Sequence, residues 1–380
     1  MARGSQGENV SAQVVSLPSG SLKAALATVI AAVEARSTIP ILSNVLIRVT
    51  KTHLSVTATD LDIELTRQVP VTDASGSWGT TVQARVLKAA VDKLPKESEV
   101  MLSLVEGRIT MACGRARFTL PVLPVDDFPF IATADWAAQF EMTGSVLAEA
   151  LAHVKPGMSS EETRYYLNGV LIERCGVDLV LAATDGHRLH VVVLPAPDGS
   201  EPLADIDQSL IVPRKAVPII AGLCGEARIE IALAQGKMRI DSGETVMVTK
   251  LIDGNFPDWR RVVPVSAPNS CSIDPRALEA ALARVNAINT SKDPGVKLAI
   301  DTGDITLSVR CPESGEASET LEHAGLNGEP CEIGFNPRYL ADVLAQLPGE
   351  SAAVQFSDAQ GPAKWSKAED RFCVLMPMRV

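Results

Sequence analysis

The sequence predicts an α+β fold of three similar domains, with helices on one side of antiparallel sheets. Three observations carry this: two helical patterns that each recur three times, in the same alternating order, and strand-like runs between them. Residues 21–36 read SLKAALATVIAAVEAR, residues 145–155 SVLAEALAHVK and residues 276–288 RALEAALARVNAI. Each has leucines four apart (Leu22/Leu26, Leu147/Leu151, Leu278/Leu282), the spacing that places both on one face of a helix. The offsets from one copy to the next are 125 and 131 residues. The second pattern is RVLKAAVDKLP at 85–95, RKAVPIIAGL at 214–223 and RYLADVLAQLP at 338–348. Aligned on Leu94, Leu223 and Leu347, its offsets are 129 and 124 residues. Leucine at such spacing is common in any helix, but two independent markers with one period, about a third of the chain, indicate an internal repeat.

Strand-like segments fill the intervals. The first third has them at 44–49, 54–59, 63–69, 100–105, 108–112 and 117–122. The second has them at 169–173, 179–183, 227–233, 238–242 and 246–251, and the third at 296–301, 305–310, 331–334 and 353–356. Each third therefore reads helix, strands, helix, strands, the order of helices packed on antiparallel sheet. The stretches 123–129 (LPVDDFP) and 252–264 (IDGNFPDWRRVVP) each carry an acidic turn followed by Phe-Pro. Proline removes a ladder donor, so these suit exits from a sheet. The expected division is an extension at 1–11 and domains at 12–135, 136–264 and 265–380. The segment 312–323, rich in Glu and Ser, reads as a loop.

With 380 residues, 46% of them hydrophobic, the chain can bury more than one core. Aromatic residues are only 4%, so those cores must be aliphatic. No apolar run reaches the length of a bilayer span, and residues 1–10 lack the apolar segment of a signal peptide. The seven cysteines are scattered without CxxC spacing, and the five histidines form no HExxH cluster. Free thiols in a reducing cytosol, with no metal and no cofactor, are expected. The net charge of −11 argues against nucleic acid at first sight. Its distribution argues otherwise: the six helical segments together carry +6, which leaves −17 for the rest. Helices often bear solvated lysine and arginine, but one basic set of helices would also attract phosphates without reading bases.

One window stands out, AATDGHRLH at 182–190, between two apolar β-favouring runs. Asp-Gly there predicts a hairpin turn with positive φ at Gly186, and His187 and Arg188 leaving it into a strand. Such a turn is usually only a turn. A hydrolase using Asp185 and His187 would need a nucleophile, a base and an orienting group, and the sequence offers no convincing set.

The stretches IPILSNVLI (39–47), ATDLDIEL (58–65), RYYLNGVL (164–171), ATDGHRL (183–189), VPRKAV (212–217), DGNFPDWRRVVP (253–264), GFNPRYLADVL (334–344) and MPMRV (376–380) together resemble one family. It is the bacterial sliding clamp, the β subunit of DNA polymerase III, and the resemblance runs from about residue 12 to Val380. It implies a ring-forming homodimer, closed head to tail, that encircles duplex DNA without sequence preference and has no catalytic activity. It implies that the ring tethers the polymerase III α subunit, and that the clamp loader, other polymerases and repair proteins dock through clamp-binding peptides. The peptide cleft it implies comprises Leu167, Thr184, Gly186, His187, Arg188, Leu189, Pro257, Arg261, Val262, Asn336, Tyr339, Val374, Met376, Pro377, Met378 and Arg379. In that cleft, Gly186 would let a peptide backbone approach, and His187 and Arg188 would offer donors at the rim. The resemblance points to Arg36, Tyr165, Tyr166, Arg214 and Lys215 as DNA contacts, with the two tyrosines opening a strand. For the subunit contact it points to Phe118 and Leu120 on one edge, and to Ala287 and Ile288 on the other. A divergent clamp copy with altered partner or inhibitor specificity is the alternative.

Overall fold

A computed structural model describes residues 13–34, 38–105, 107–264, 267–322 and 325–380. The expected extension at 1–11 and the expected DNA contact Arg36 lie outside the described residues. The chain packs as two compact units, one of residues up to 139 together with 226–250, the other of residues 140–225 together with 251–380.

In the first unit, helices α1 (Ser19–Val29) and α2 (Ala84–Asp92) pack on each other. Leu22, Leu26 and Val29 of α1 and Leu87 and Val91 of α2 are fully buried, the apolar stripe that the leucine spacing predicts. An antiparallel sheet runs through Arg228–Ala234, Lys237–Asp241, Thr245–Lys250, Ile63–Pro70, His53–Thr59, Asn44–Val49 and Trp78–Gln83. Strands from the second third of the sequence thus join strands from the first, through Thr245↔Arg67 to Thr249↔Ile63. The sheet continues through Ala116–Leu123, which pairs with Arg108–Cys113 along almost all its length but with Trp78–Gln83 only at Val122 and Leu123. One side of residues 116–121 is therefore an edge among the described residues.

In the second unit, α3 (Gly144–Val154) packs on α4 (Ala216–Leu223), and α5 (Pro275–Val285) on α6 (Pro337–Leu344). Helix α5 has proline in its first turn, and Asp274 caps it by accepting from the Arg276 and Ala277 N–H groups at 2.9 and 3.2 Å. Leu278, Ala281, Leu282 and Val285 form its buried face. The long sheet of this unit is ordered Leu210–Pro213, Gly169–Cys175, Asp178–Thr184, Arg188–Pro195, Arg371–Leu375, Ala363–Ala368, Ala352–Phe356, Asn269–Ile273 and Leu326–Asn327. Here second-third and third-third strands meet, Arg188↔Leu375 through Val192↔Arg371. A second sheet is ordered Gly315–Glu322, Asp304–Cys311, Val296–Ile300 and Cys331–Phe335.

The segment expected as a loop at 312–323 is thus largely a strand, Gly315–Glu322, paired in full register with Asp304–Cys311. Its alternation is hidden by composition. Ala317 and Leu321 pack on the core, and between them Glu319 is held by the Arg284 guanidinium of α5 at 2.5 and 2.8 Å. An inward glutamate reads as solvent-facing until its partner is known.

The fold also gathers residues that the sequence keeps far apart. His190 and Cys373 are directly opposite on neighbouring strands, and His153 comes from the last turn of α3. Cys373 Sγ lies 3.2 Å from His190 Nδ1 and 3.8 Å from His153 Nε2. All three are buried, and His190 Nε2 has no hydrogen-bond partner. Burial, with His153 and Arg188 adding a smaller effect, lowers the His190 pKa to about 3, so the ring is neutral in the folded chain. An unfolded imidazole titrates near 6.5. The stability that depends on a neutral His190 is therefore complete above that pH and is lost as pH falls toward the folded value. The His190→Leu variant is expected to lose less stability than the parent chain between about pH 6.5 and pH 4, measured by denaturant unfolding. Equal losses would place the acid-sensitive group elsewhere.

Candidate functional site

The hairpin turn at 184–189 is held by its own side chains. Gly186 has φ 89°, the left-handed value that Asp-Gly predicts. Thr184 Oγ1 donates to the Arg188 carbonyl at 2.7 Å and accepts from the Gly186 N–H at 3.1 Å. Asp185 Oδ1 accepts from the N–H groups of His187 and Arg188 at 2.9 and 3.1 Å. Its other oxygen accepts from Arg188 Nε at 3.2 Å. The Asp185 carboxylate is thus committed to shaping the turn, which leaves it no role as the orienting acid of a hydrolase.

Arg188 departs from its expected role as a donor at the rim. It is only 8% exposed, its guanidinium donates to Asp342 of α6, and it lies 4.6 Å over the Tyr339 ring. His187 stacks on the same tyrosine, ring centroids 5.7 Å apart. At Gly186 the nearest side chain is that of Arg164: a Cβ there would meet its Nη1 at 2.7 Å. Arg164 is fixed by a two-pronged bond to Glu161, at 2.8 and 2.6 Å. Asn336 has a structural task, since its Oδ1 caps α6 by accepting from the Arg338 and Tyr339 N–H groups at 3.0 and 3.4 Å.

Two cavities flank this turn within the second unit. One, of about 290 Å³, is mainly apolar and is lined by Leu167, Leu189, Val374, Pro257, Val262 and Met376, with Thr184, Gly186 and Arg188. Leu167, Leu189 and Val374 are buried and form its floor, while Val262 is 38% exposed at its mouth. Arg164, Tyr166, Asp258 and Trp259 also line it. The other, of about 590 Å³, is polar and takes in His187, Tyr339, Arg214, Asp342 and Arg338. Arg188 borders both. Arg261 lines neither cavity; it is exposed and pairs with Asp258 at 3.2 Å.

The C-terminal residues are tied down, although chain ends commonly fray. The Met376 N–H donates to the His187 carbonyl at 2.9 Å, and the Met378 N–H to the Gly334 carbonyl at 2.8 Å. A side chain at Gly334 would collide with the Met378 carbonyl and Val380, and one at Gly295 with Val380. Pro377 is half-buried and Arg379 is exposed.

Tyr165 and Tyr166 do not open a strand. They lie in the 3-10 turn Glu162–Leu167 that precedes Gly169–Cys175, their rings edge to face at 5.9 Å. Tyr165 is 53% exposed, and Tyr166 is half-buried and lines the apolar cleft. Arg214 and Lys215 are exposed just before α4, with Arg214 Nη1 donating to the Ser159 carbonyl at 3.0 Å. Phe118 and Leu120 are half-buried on the edge strand Ala116–Leu123. Ala287 is exposed and Ile288 half-buried in the 3-10 turn Asn286–Ile288 that ends α5.

Trp259 was the lining residue hardest to foresee. It follows Phe-Pro-Asp in a segment that reads as a linker. The fold buries its ring against Phe372 and sends its indole N–H to Glu173 at 3.3 Å. One of only four tryptophans in a chain poor in aromatics, it carries the available signal in its residue type.

Comparison with known proteins bears directly on these features. Residues 17–132 match the DNA polymerase III beta subunit, N-terminal domain; residues 141–258 match its central domain, and residues 260–379 its C-terminal domain. A beta sliding clamp of Caulobacter vibrioides is 37% identical over 367 residues, which cover 94% of this chain and 97% of the relative. One from Pseudomonas aeruginosa is 36% identical over 352 residues, 92% of this chain and 95% of the relative. The crystal structure of a DnaN sliding clamp from Bartonella birtlesii, bound to griselimycin, superposes with TM-score 0.91 at 36% identity, covering 97% of this chain and all of that one. With all three repeated domains matched, the chain belongs to the DNA polymerase III beta subunit family, the non-enzymatic sliding clamps of DNA replication.

Proposed function

We propose that two copies of this chain close head to tail around duplex DNA in the cytoplasm. The ring tethers the polymerase III α subunit, and it receives the clamp loader, other polymerases and repair proteins at one peptide cleft. The observation that carries the peptide reading is the apolar cleft of about 290 Å³, floored by Leu167, Leu189 and Val374 and bordered by Met376. Buried aliphatic side chains make a fixed floor for an apolar anchor, and methionine's flexible thioether adapts the rim to more than one anchor. The neighbouring polar cavity, with His187, Tyr339 and Arg338, suits the polar remainder of such a peptide. Tethering then acts through effective concentration, with no base-specific contact.

The domain limits we assign remain 12–135, 136–264 and 265–380. Arg214 and Lys215 are the DNA-facing cations favoured by their exposure at the start of α4. The edge at 116–121, with Phe118 and Leu120, is the side of the subunit offered to a partner. An uncovered edge of that length invites pairing with another chain, and a heterologous contact used twice closes a two-membered ring. Ala287 and Ile288, with the exposed helix end they form, are the opposing surface.

Val262 lies at the mouth of the cleft, so a charge there spares the core. Val262→Glu is expected to weaken binding of a clamp-binding polymerase peptide by about tenfold or more, ~1.4 kcal/mol, in a fluorescence polarisation titration. Unchanged affinity would move the peptide elsewhere. The double change Arg214→Glu and Lys215→Glu is expected to reduce the salt slope of DNA association by about 2. A slope equal to the parent's would remove this pair from the DNA face. Phe118→Asp is expected to halve the sedimenting mass, and a persistent dimer would place the subunit contact on another edge.

A further inference from the structure

We infer that His153, His190 and Cys373 form a binding site for one monovalent copper ion. Nothing in the tethering function uses these residues, and their geometry is that of a three-ligand metal site. One donor atom from each lies within 4.8 Å of the other two. A metal bound at about 2.0 Å by nitrogen and about 2.3 Å by sulfur separates its ligand atoms by roughly 3.5–4 Å. Of the two sulfur–nitrogen distances here, 3.8 Å lies within that range and 3.2 Å just below it, so small side-chain rotations suffice to admit an ion.

The scaffold fixes the group. His190 and Cys373 are cross-strand partners, so their side chains emerge on the same face of the sheet, and α3 brings His153 to that face. The protein alone leaves the group poorly satisfied. His190 Nδ1 meets only the Cys373 sulfur, at 3.2 Å, and His153 Nε2 makes only long contacts, 3.5 Å to the Phe372 carbonyl and 3.8 Å to the same sulfur.

The choice of ion follows from charge. Thiolate and imidazole ligands suit copper(I) and zinc(II) alike. Copper(I) displaces the Cys373 thiol proton, which leaves to solvent, so one monocation replaces another and the core keeps its charge. Zinc(II) in the same exchange would leave an extra positive charge among fully buried side chains. Among the described residues, Asp185 and Asp342 are already paired with Arg188, and Asp370 acts on His153 only as a minor electrostatic effect.

The test is anaerobic titration of the intact protein with copper(I) against a chromophoric copper(I) chelator, alongside Cys373→Ala and His190→Leu. Each variant is expected to lose one equivalent of tightly held copper per chain. X-ray absorption of the parent chain loaded with one equivalent is expected to report one sulfur and two nitrogen neighbours. Should Cys373→Ala fail to fold, His190→Leu and the absorption spectrum decide the matter. Full copper uptake by His190→Leu, or two or more sulfurs around the ion, would overturn the site by pointing to the other six thiols. Tight zinc(II) binding by these residues with no copper(I) binding would overturn the choice of ion.

Discussion

The pairing of Arg188–Val192 with Arg371–Leu375 is the constraint on which the rest of the second unit depends. It joins the second third of the sequence to the last, and it sorts their side chains onto two faces. Leu189, Val191, Phe372 and Val374 pack with Trp259, and Leu189 and Val374 of this set reach the floor of the apolar cleft. Arg188, His190 and Cys373 lie on the opposite face. A slip of one residue would exchange the two sets, burying a guanidinium where the cleft needs leucine and valine. The alternation of apolar and polar character therefore fixes both the register and the position of the site.

Arg188 shows how the turn and the cleft are joined electrostatically. A buried guanidinium is tolerated only when its charge is met and its donors are used. Asp185 meets it from the turn, Asp342 from α6, and the Tyr339 ring covers its face. The turn cannot move without disturbing α6, and Tyr339 cannot move without uncovering Arg188 and His187. A peptide docked as proposed above would meet a surface that needs little reordering of its own, which favours affinity.

The repeats made the helices legible, because leucine spacing records burial directly. All six helical patterns are helices, although the first is shorter than its apolar run: α1 ends at Val29 and passes into a 3-10 turn. The Asp-Gly turn was legible for the same local reason. What escaped was long-range. The strand Gly315–Glu322 was masked because Glu319 faces inward to an arginine on α5. Arg188 looked like a surface donor because its partner Asp342 lies 154 residues away in sequence. The family motifs pointed to segments that the fold brings together around one apolar cavity, but they did not distinguish lining residues from Asn336, which caps α6.

The packing of Val380 over Gly295 and Gly334 bears on how this protein is handled. The Val380 side chain, 63% exposed, lies over two glycines, four residues from Met376 at the cleft. A purification tag fused after Val380 would start on that seat and pull at the strand leading back to the recognition surface. Affinity handles, fluorophores and surface-immobilisation chemistry are therefore best kept away from this seat.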